Sequence, residues 1–147
     1  MRNRMCVGAL ALSFLVTLAA LPSAAKSVDG IRAQIPFDFH VGDRLVRAGD
    51  YTVKSLSDDE QAIRISSGKE GVSTTTNYGT ERGNGEGRAR LVFHKYGDQY
   101  FLSAVWGADS TGRTLSETKR ERNLRKELRA ARAAGAAEAE IVTIDAR

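Results

Sequence analysis

The sequence predicts a single, mainly antiparallel β domain, a sandwich or small barrel of about seven strands, with one C-terminal amphipathic basic helix. Three observations support this fold class: an alternating segment that begins at Ile31, a pair of apolar segments around Gly97-Asp98, and a helix-capping pattern at Thr114. Apolar residues with a period of two predict strands, whereas apolar residues three and four positions apart predict a helix.

The first 25 residues are typical of a signal peptide. Residues 2–4 carry two arginines, Val7 to Leu21 is an apolar run, and Ser23 to Ala25 are the small residues that signal peptidase recognises. We therefore expect cleavage after Ala25 and a mature domain of residues 26–147 that is periplasmic or secreted. An uncleaved membrane anchor is the alternative, although the apolar run is short for a membrane span.

The long alternating segment predicts the first strand. From residue 31 to residue 41 the odd positions are apolar, and the even positions, which include His40, form a polar face. Pro36 lacks an N–H group, which favours a sheet edge or a bulge at that point. Turns at Gly42-Asp43 and Ala48 to Asp50 precede a second strand that begins at Tyr51, and we expect the two strands to be antiparallel neighbours.

Four short motifs resemble an uncharacterised family of short exported bacterial proteins. They are IPFDF-x-VG from Ile35, AG-x-Y-x-V from Ala48, YG-x-x-YFL from Tyr96, and Ser116 followed by Glu121-Arg122. Arg47 stands where that family often has a proline before the Ala-Gly turn. The resemblance implies export and a small shared β fold, and it implies no activity, cofactor or catalytic residue.

The middle of the chain predicts further strands. Ile63 and Ile65 point inward from a short strand, and Val72 to Tyr78 alternate along a Thr-rich one. Residues 79–88, GTERGNGEGR, contain spaced glycines, which in some proteins cradle phosphate before a helix. Because a strand follows here, we interpret this segment as a flexible hairpin loop.

A hairpin is predicted for Ala89 to Trp106, with its turn at Gly97-Asp98. This turn pairs residues 96, 94, 93, 91 and 89 with residues 99, 101, 102, 104 and 106, so that His94 faces Phe101. Both faces of the hairpin are substantially apolar, so we expect another element to cover the side that faces away from the core.

The covering element is a predicted helix from about residue 115 to residue 134, capped by Thr114 and Glu117 and ended by Gly135. A short last strand follows at Ile141 to Ile144. Segment 113–132 contains eight basic and three acidic residues in a chain of net charge +4. On a helical wheel one broad arc is basic. This arc is the predicted polyanion-binding site, and it contains Lys119, Arg122, Arg125, Lys126, Arg129 and Arg132.

The sequence contains few groups for catalysis. Cys6, the single cysteine, precedes the predicted cleavage site, so the mature chain has neither disulfides nor thiol nucleophiles. Nucleophile-elbow, calcium-loop and zinc-spacing motifs are absent, and the two histidines are far apart. We therefore expect a non-catalytic protein of the cell envelope, without cofactor or metal.

Two binding hypotheses follow. The basic arc fits an anionic glycan or lipid surface, and nucleic acid is not expected outside the cell. The alternative for this arc is a solvated face with an intrahelical Glu121-Arg125 pair. A different function, a carrier of small apolar ligands, would use the interior of the β body. Its predicted lining is Phe37, Phe39, Phe93 and Trp106, which could equally be core residues.

Overall fold

The computed structural model describes residues 28, 30–80, 87–109, 111–131 and 140–147, and these form eleven strands and one helix. The chain is mainly β, as predicted. The strands are β1 Ile31–Ile35, β2 Phe39–Val41, β3 Arg44–Val46, β4 Gly49–Ser55, β5 Ala62–Ser67, β6 Glu70–Thr75, β7 Asn77–Thr80, β8 Arg90–Tyr96, β9 Gln99–Trp106, β10 Thr111–Thr114 and β11 Glu140–Asp145. The helix, α1, is Lys119–Ala131.

The strands form two sheets. The first has the antiparallel order β1-β4-β5-β6, and its pairing of Ile31 with Val53 confirms that the first two predicted strands are neighbours. The second has the order β11-β8-β9-β10-β7; β2 joins it through a parallel pairing with β9, and β3 is attached through its antiparallel pairing with β2. This arrangement is consistent with a β-sandwich.

Apolar side chains of the two sheets form the core. Val53, Ile63 and Ile65 come from the first sheet, and Leu91 and Phe93 come from the second; all five are almost completely buried. Burying a side chain of this size contributes about 1.5–3 kcal/mol. The inward orientation of Ile63 and Ile65 follows the predicted alternation.

Polar contacts join the sheets away from the core. The Arg32 amide donates to the Arg147 carbonyl at 2.7 Å, and the Arg147 amide donates back at 2.9 Å. Elsewhere the Nε atom of Arg113, on β10, donates to Glu60 at 3.0 Å, and its Nη2 atom donates to the Asp59 carbonyl at 3.0 Å. Arg113 and Glu60 are both buried, so this ion pair links the turn before β5 to the second sheet.

The first strand, β1, is shorter than the alternation from residue 31 to residue 41 predicts. β1 ends at Ile35, directly before Pro36, and β1 lies at the edge of its sheet as the proline favours. The chain then enters the second sheet as β2, in which all three residues are buried. The prediction that His40 lies on a polar face is therefore wrong. Its ring stacks on Phe101 with a centroid distance of 4.7 Å.

A bulge changes the register of the β8–β9 hairpin. The predicted pairs of Tyr96 with Gln99 and of His94 with Phe101 are confirmed. Beyond the shift, however, Leu91 pairs with Val105 instead of Ala104, and Arg90 instead of Ala89 pairs with Trp106. The extra residue lets both Leu102 and Val105 reach the core, whereas a regular strand would point them to opposite faces.

Two connections also differ from prediction. Residues 72–78 do not form one strand, because β6 and β7 belong to different sheets. β7 pairs with β10, and two strands separate it from β8, so the hairpin prediction for residues 79–88 is wrong. Residues 81–86 of that segment lie outside the described residues.

The helix begins later than predicted, at Lys119, because Thr114 belongs to β10. The predicted helix end at 134 lies outside the described residues, as does the predicted signal peptide. The predicted last strand is present and extends slightly further, as β11, antiparallel to β8.

Candidate functional site

The basic helix is positioned by the residues of its first turn. The Thr118 hydroxyl accepts a hydrogen bond from the Glu121 amide at 3.1 Å, and the Thr118 carbonyl accepts one from the Arg122 amide at 3.1 Å. Thr118 is therefore the residue that caps α1. In addition, Arg122 donates from its Nη1 atom to the Glu117 carbonyl at 2.7 Å, which ties the helix to the chain that leads into it.

Four exposed cations of α1 lie along one side of the helix. Their spacing of three, four and three residues places them on one face over a length of about 15 Å. We call this set the basic stripe; it consists of Lys119, Arg122, Lys126 and Arg129. Leu124 and Leu128, on another side, are half-buried. The stripe is therefore exposed to solvent, whereas the side that carries the two leucines is half-buried.

The other two predicted binding residues stand apart from the stripe. Arg125 is half-buried, and its Nη1 atom donates to Glu117 at 2.7 Å. Glu121 contacts His94, so the intrahelical pair of Glu121 with Arg125 that the alternative hypothesis assumed is not formed; each side chain has a different partner. Arg132 lies outside the described residues.

A polar cluster lies where α1 meets β8. The Nδ1 atom of His94 is 2.9 Å from the Oε1 atom of Glu121, and one ligand atom from each of His94, Glu117 and Glu121 lies within 4.8 Å of the others. Glu121 is buried, whereas His94 and Glu117 are half-buried. Burial raises the pKa of the neighbouring Tyr96 hydroxyl, and the negative charges of Glu121 and Glu117 raise it further. We call the three residues the His94 cluster.

Sequence reasoning missed this cluster. The four-residue spacing of Glu117 and Glu121 is visible in the sequence, but His94 lies on a strand 27 residues before Glu121. His94 pairs with Phe101 in the sheet, as predicted. That backbone pairing does not show that α1 contacts the His94 ring.

His40 borders a second polar region. An open pocket of about 300 Å³ is lined by His40, Asp43 and Arg120 together with residues of β9 and the adjoining turns. Burial lowers the pKa of His40, Arg120 lowers it further, and Asp43 opposes both effects. The buried Nδ1 atom of His40 has no hydrogen-bond partner among the residues that the structure describes. His40 nevertheless stacks face to face on Phe101, as a packing residue does.

The aromatic residues predicted to line a ligand cavity pack against one another. Phe93 makes edge contacts with Phe37 at 5.3 Å and with Phe39 at 5.4 Å, and Phe37 stacks on Tyr100 at 3.8 Å. Edge-to-face pairs at these distances stabilise cores. Trp106 lies outside this group, beside Gly79 and Gly112.

Comparisons with known proteins yielded no matching family model, curated protein or solved structure. Within the described residues, no helix combines the length and apolar character that a membrane span requires.

Proposed function

We propose that this protein is a non-catalytic binding module of the bacterial cell envelope, exported by a cleaved signal peptide, whose basic stripe binds anionic groups of envelope glycans or lipids. The signal-peptide pattern of residues 1–25 and the resemblance of the IPFDF-x-VG, AG-x-Y-x-V and YG-x-x-YFL motifs to exported bacterial proteins support the location. The positive charge of α1 supports the ligand class.

The acidic side chains of α1, and Glu117 just before it, lie away from the basic stripe. This observation carries the proposal. Glu121 is buried against His94, and Glu117 pairs with Arg125, so neither neutralises the stripe. Glu127 is exposed, but its helical position places it on the side of Arg120, away from the stripe. The four cations thus present their charge to solvent together.

Electrostatic attraction is the mechanism that this geometry supports. Leu124 and Leu128 are the only leucines of α1 and both are half-buried, so the helix has little apolar surface with which to enter a bilayer. Lys and Arg side chains near an anionic surface contribute about 1 kcal/mol each. Such binding weakens as salt concentration rises, because exposed charges are screened over a Debye length of about 8–10 Å.

Binding to two anionic probes tests the proposal: heparin as an acidic glycan, and vesicles that contain phosphatidylglycerol as an anionic lipid. The variant replaces the stripe with glutamine (Lys119→Gln, Arg122→Gln, Lys126→Gln, Arg129→Gln). We expect it to elute from heparin at clearly lower salt or to lose vesicle binding, and the probe that responds identifies glycan or lipid as the source of the anion.

A matched control distinguishes the effect of the basic stripe on binding from the effect of net charge. The control variant removes the same number of exposed positive charges from the body through Arg44→Gln, Arg47→Gln, Lys54→Gln and Lys69→Gln. The proposal predicts that this variant keeps most of the binding. Equal losses in both variants, or full retention in the stripe variant, would refute a site on α1.

A further inference from the structure

We propose that His94, Glu117 and Glu121 form a zinc site that fastens the start of α1 to β8. This inference is independent of the basic stripe, because none of the three residues belongs to it: His94 lies on β8, Glu117 precedes α1, and Glu121 faces His94. It assigns a ligand to the His94 cluster, for which the sequence contains no zinc-binding pattern.

The donor set suits zinc. Zinc binds imidazole nitrogen and carboxylate oxygen at about 2.0–2.2 Å, usually with four ligands in a tetrahedron. Ligand atoms in such a tetrahedron are about 3.3 Å apart. The His94 Nδ1 and Glu121 Oε1 atoms are 2.9 Å apart, and the three ligand atoms lie within 4.8 Å of one another. Small rotations of the side chains would give zinc three protein ligands, and water could supply the fourth.

The burial of Glu121 favours a cation at this position. Its side chain is only 6% exposed, and it is the one buried residue of α1. A buried carboxylate is costly unless a partner compensates its charge. The His94 ring supplies one contact to this carboxylate, at 2.9 Å, whereas a divalent ion would compensate its charge directly. The site is also accessible, since the side chains of His94 and Glu117 are 29% and 28% exposed.

The surrounding groups orient the ligands without filling the site. Arg125 holds the Oε1 atom of Glu117 at 2.7 Å, which leaves the second carboxylate oxygen for a metal. A histidine that binds a metal is neutral, so the two carboxylates and Arg125 would give the site a net charge of about −1, which attracts a divalent cation. Partners of this kind, which hold a ligand in position, commonly tune metal affinity.

Zinc titration of the full-length chain, expressed without a histidine tag and freed of metal with a chelator, tests the inference. We expect saturable binding of one zinc ion per chain, measured by competition with a chromophoric chelator, and no comparable binding of magnesium, which prefers oxygen ligands. Glu117→Gln and His94→Gln should each weaken zinc binding by about tenfold or more. Glu127→Gln, which changes an exposed acid of the same helix, should bind zinc like the unmodified chain.

Amide hydrogen exchange provides a readout of the proposed fastening. Zinc should slow exchange in the first turns of α1 in the unmodified chain, and it should have no such effect in Glu117→Gln. Circular dichroism establishes that each variant is folded, and the exchange measurement on the unmodified chain stands even if one variant is not. Absence of saturable zinc binding, or unchanged binding in both Glu117→Gln and His94→Gln, would overturn the proposal.

Discussion

The β body and the helix are held in place by different forces. In the body, Leu91, Phe93 and their neighbours are almost completely buried between two sheets. In α1 the only buried residue is an acid, Glu121, and two leucines are half-buried. Hydrogen bonds and ion pairs hold the helix instead, including those of His94 with Glu121 and of Arg120 with Gln99.

Because of this difference, the stability of the β body and the local stability of α1 depend on different contacts. Apolar burial is non-directional and contributes most of the free energy of folding, so the body should unfold as one cooperative unit. Polar contacts at a partly exposed surface contribute about 0.5–1.5 kcal/mol each, so the helix can detach at a smaller cost in free energy. A ligand on the helix can therefore alter its docking without disturbing the core.

The largest expected effect comes from replacing a leucine by alanine, once in the β body and once in α1. Leu91→Ala removes a side chain that is 0% exposed, and it should lower the free energy of unfolding by about 2–5 kcal/mol. Leu124→Ala removes a half-buried side chain of α1 and should lower it by less than about 1.5 kcal/mol, since less apolar area is lost. Urea denaturation measures both values. Equal losses would show that the helix belongs to the main core.

The next effect concerns the polar link within the body. Arg113→Met removes the 3.0 Å ion pair with the buried Glu60 carboxylate and should cost about 3 kcal/mol, because loss of one member of a buried ion pair leaves the charge of the other less well compensated. Thermal unfolding measures the loss. The double variant Arg113→Met, Glu60→Gln removes the charge as well and should be more stable than Arg113→Met alone. If the single variant loses no stability, the pair does not hold the sheets together.

The sequence predicted the fold class because period-two alternation reports burial directly. Ile63 and Ile65 are inward as that pattern requires, and the turn at Gly97-Asp98 sets the first pairs of its hairpin correctly. The pattern carries no information on where a strand changes sheets, as the chain does after Pro36. Nor does it show a bulge such as the one that brings Val105 into the core.

The candidate sites were predictable only in part, for a similar reason. The charge of the basic stripe is local information and is visible on a helical wheel. By contrast, the removal of Arg125 from the stripe depends on Glu117, and the His94 cluster depends on the docking of α1 against β8. Contacts between distant segments arise from tertiary packing, which composition and spacing do not encode.

The smallest expected effect concerns the start of the helix, for which Thr114 and Thr118 are the two candidate capping residues. The sequence pattern favours Thr114, whereas in the structure the Thr118 hydroxyl accepts from the Glu121 amide. Thr118→Ala should therefore destabilise α1 by about 1 kcal/mol, and Thr118→Ser should restore most of the loss, because serine caps equally well. Thr114→Ala should leave the helix unchanged, since its hydroxyl contacts the Asn77 carbonyl in the sheet at 3.4 Å. Amide hydrogen exchange in α1 distinguishes the two positions. Faster exchange in Thr114→Ala than in Thr118→Ala would show that Thr114, which the sequence pattern favours, caps the helix.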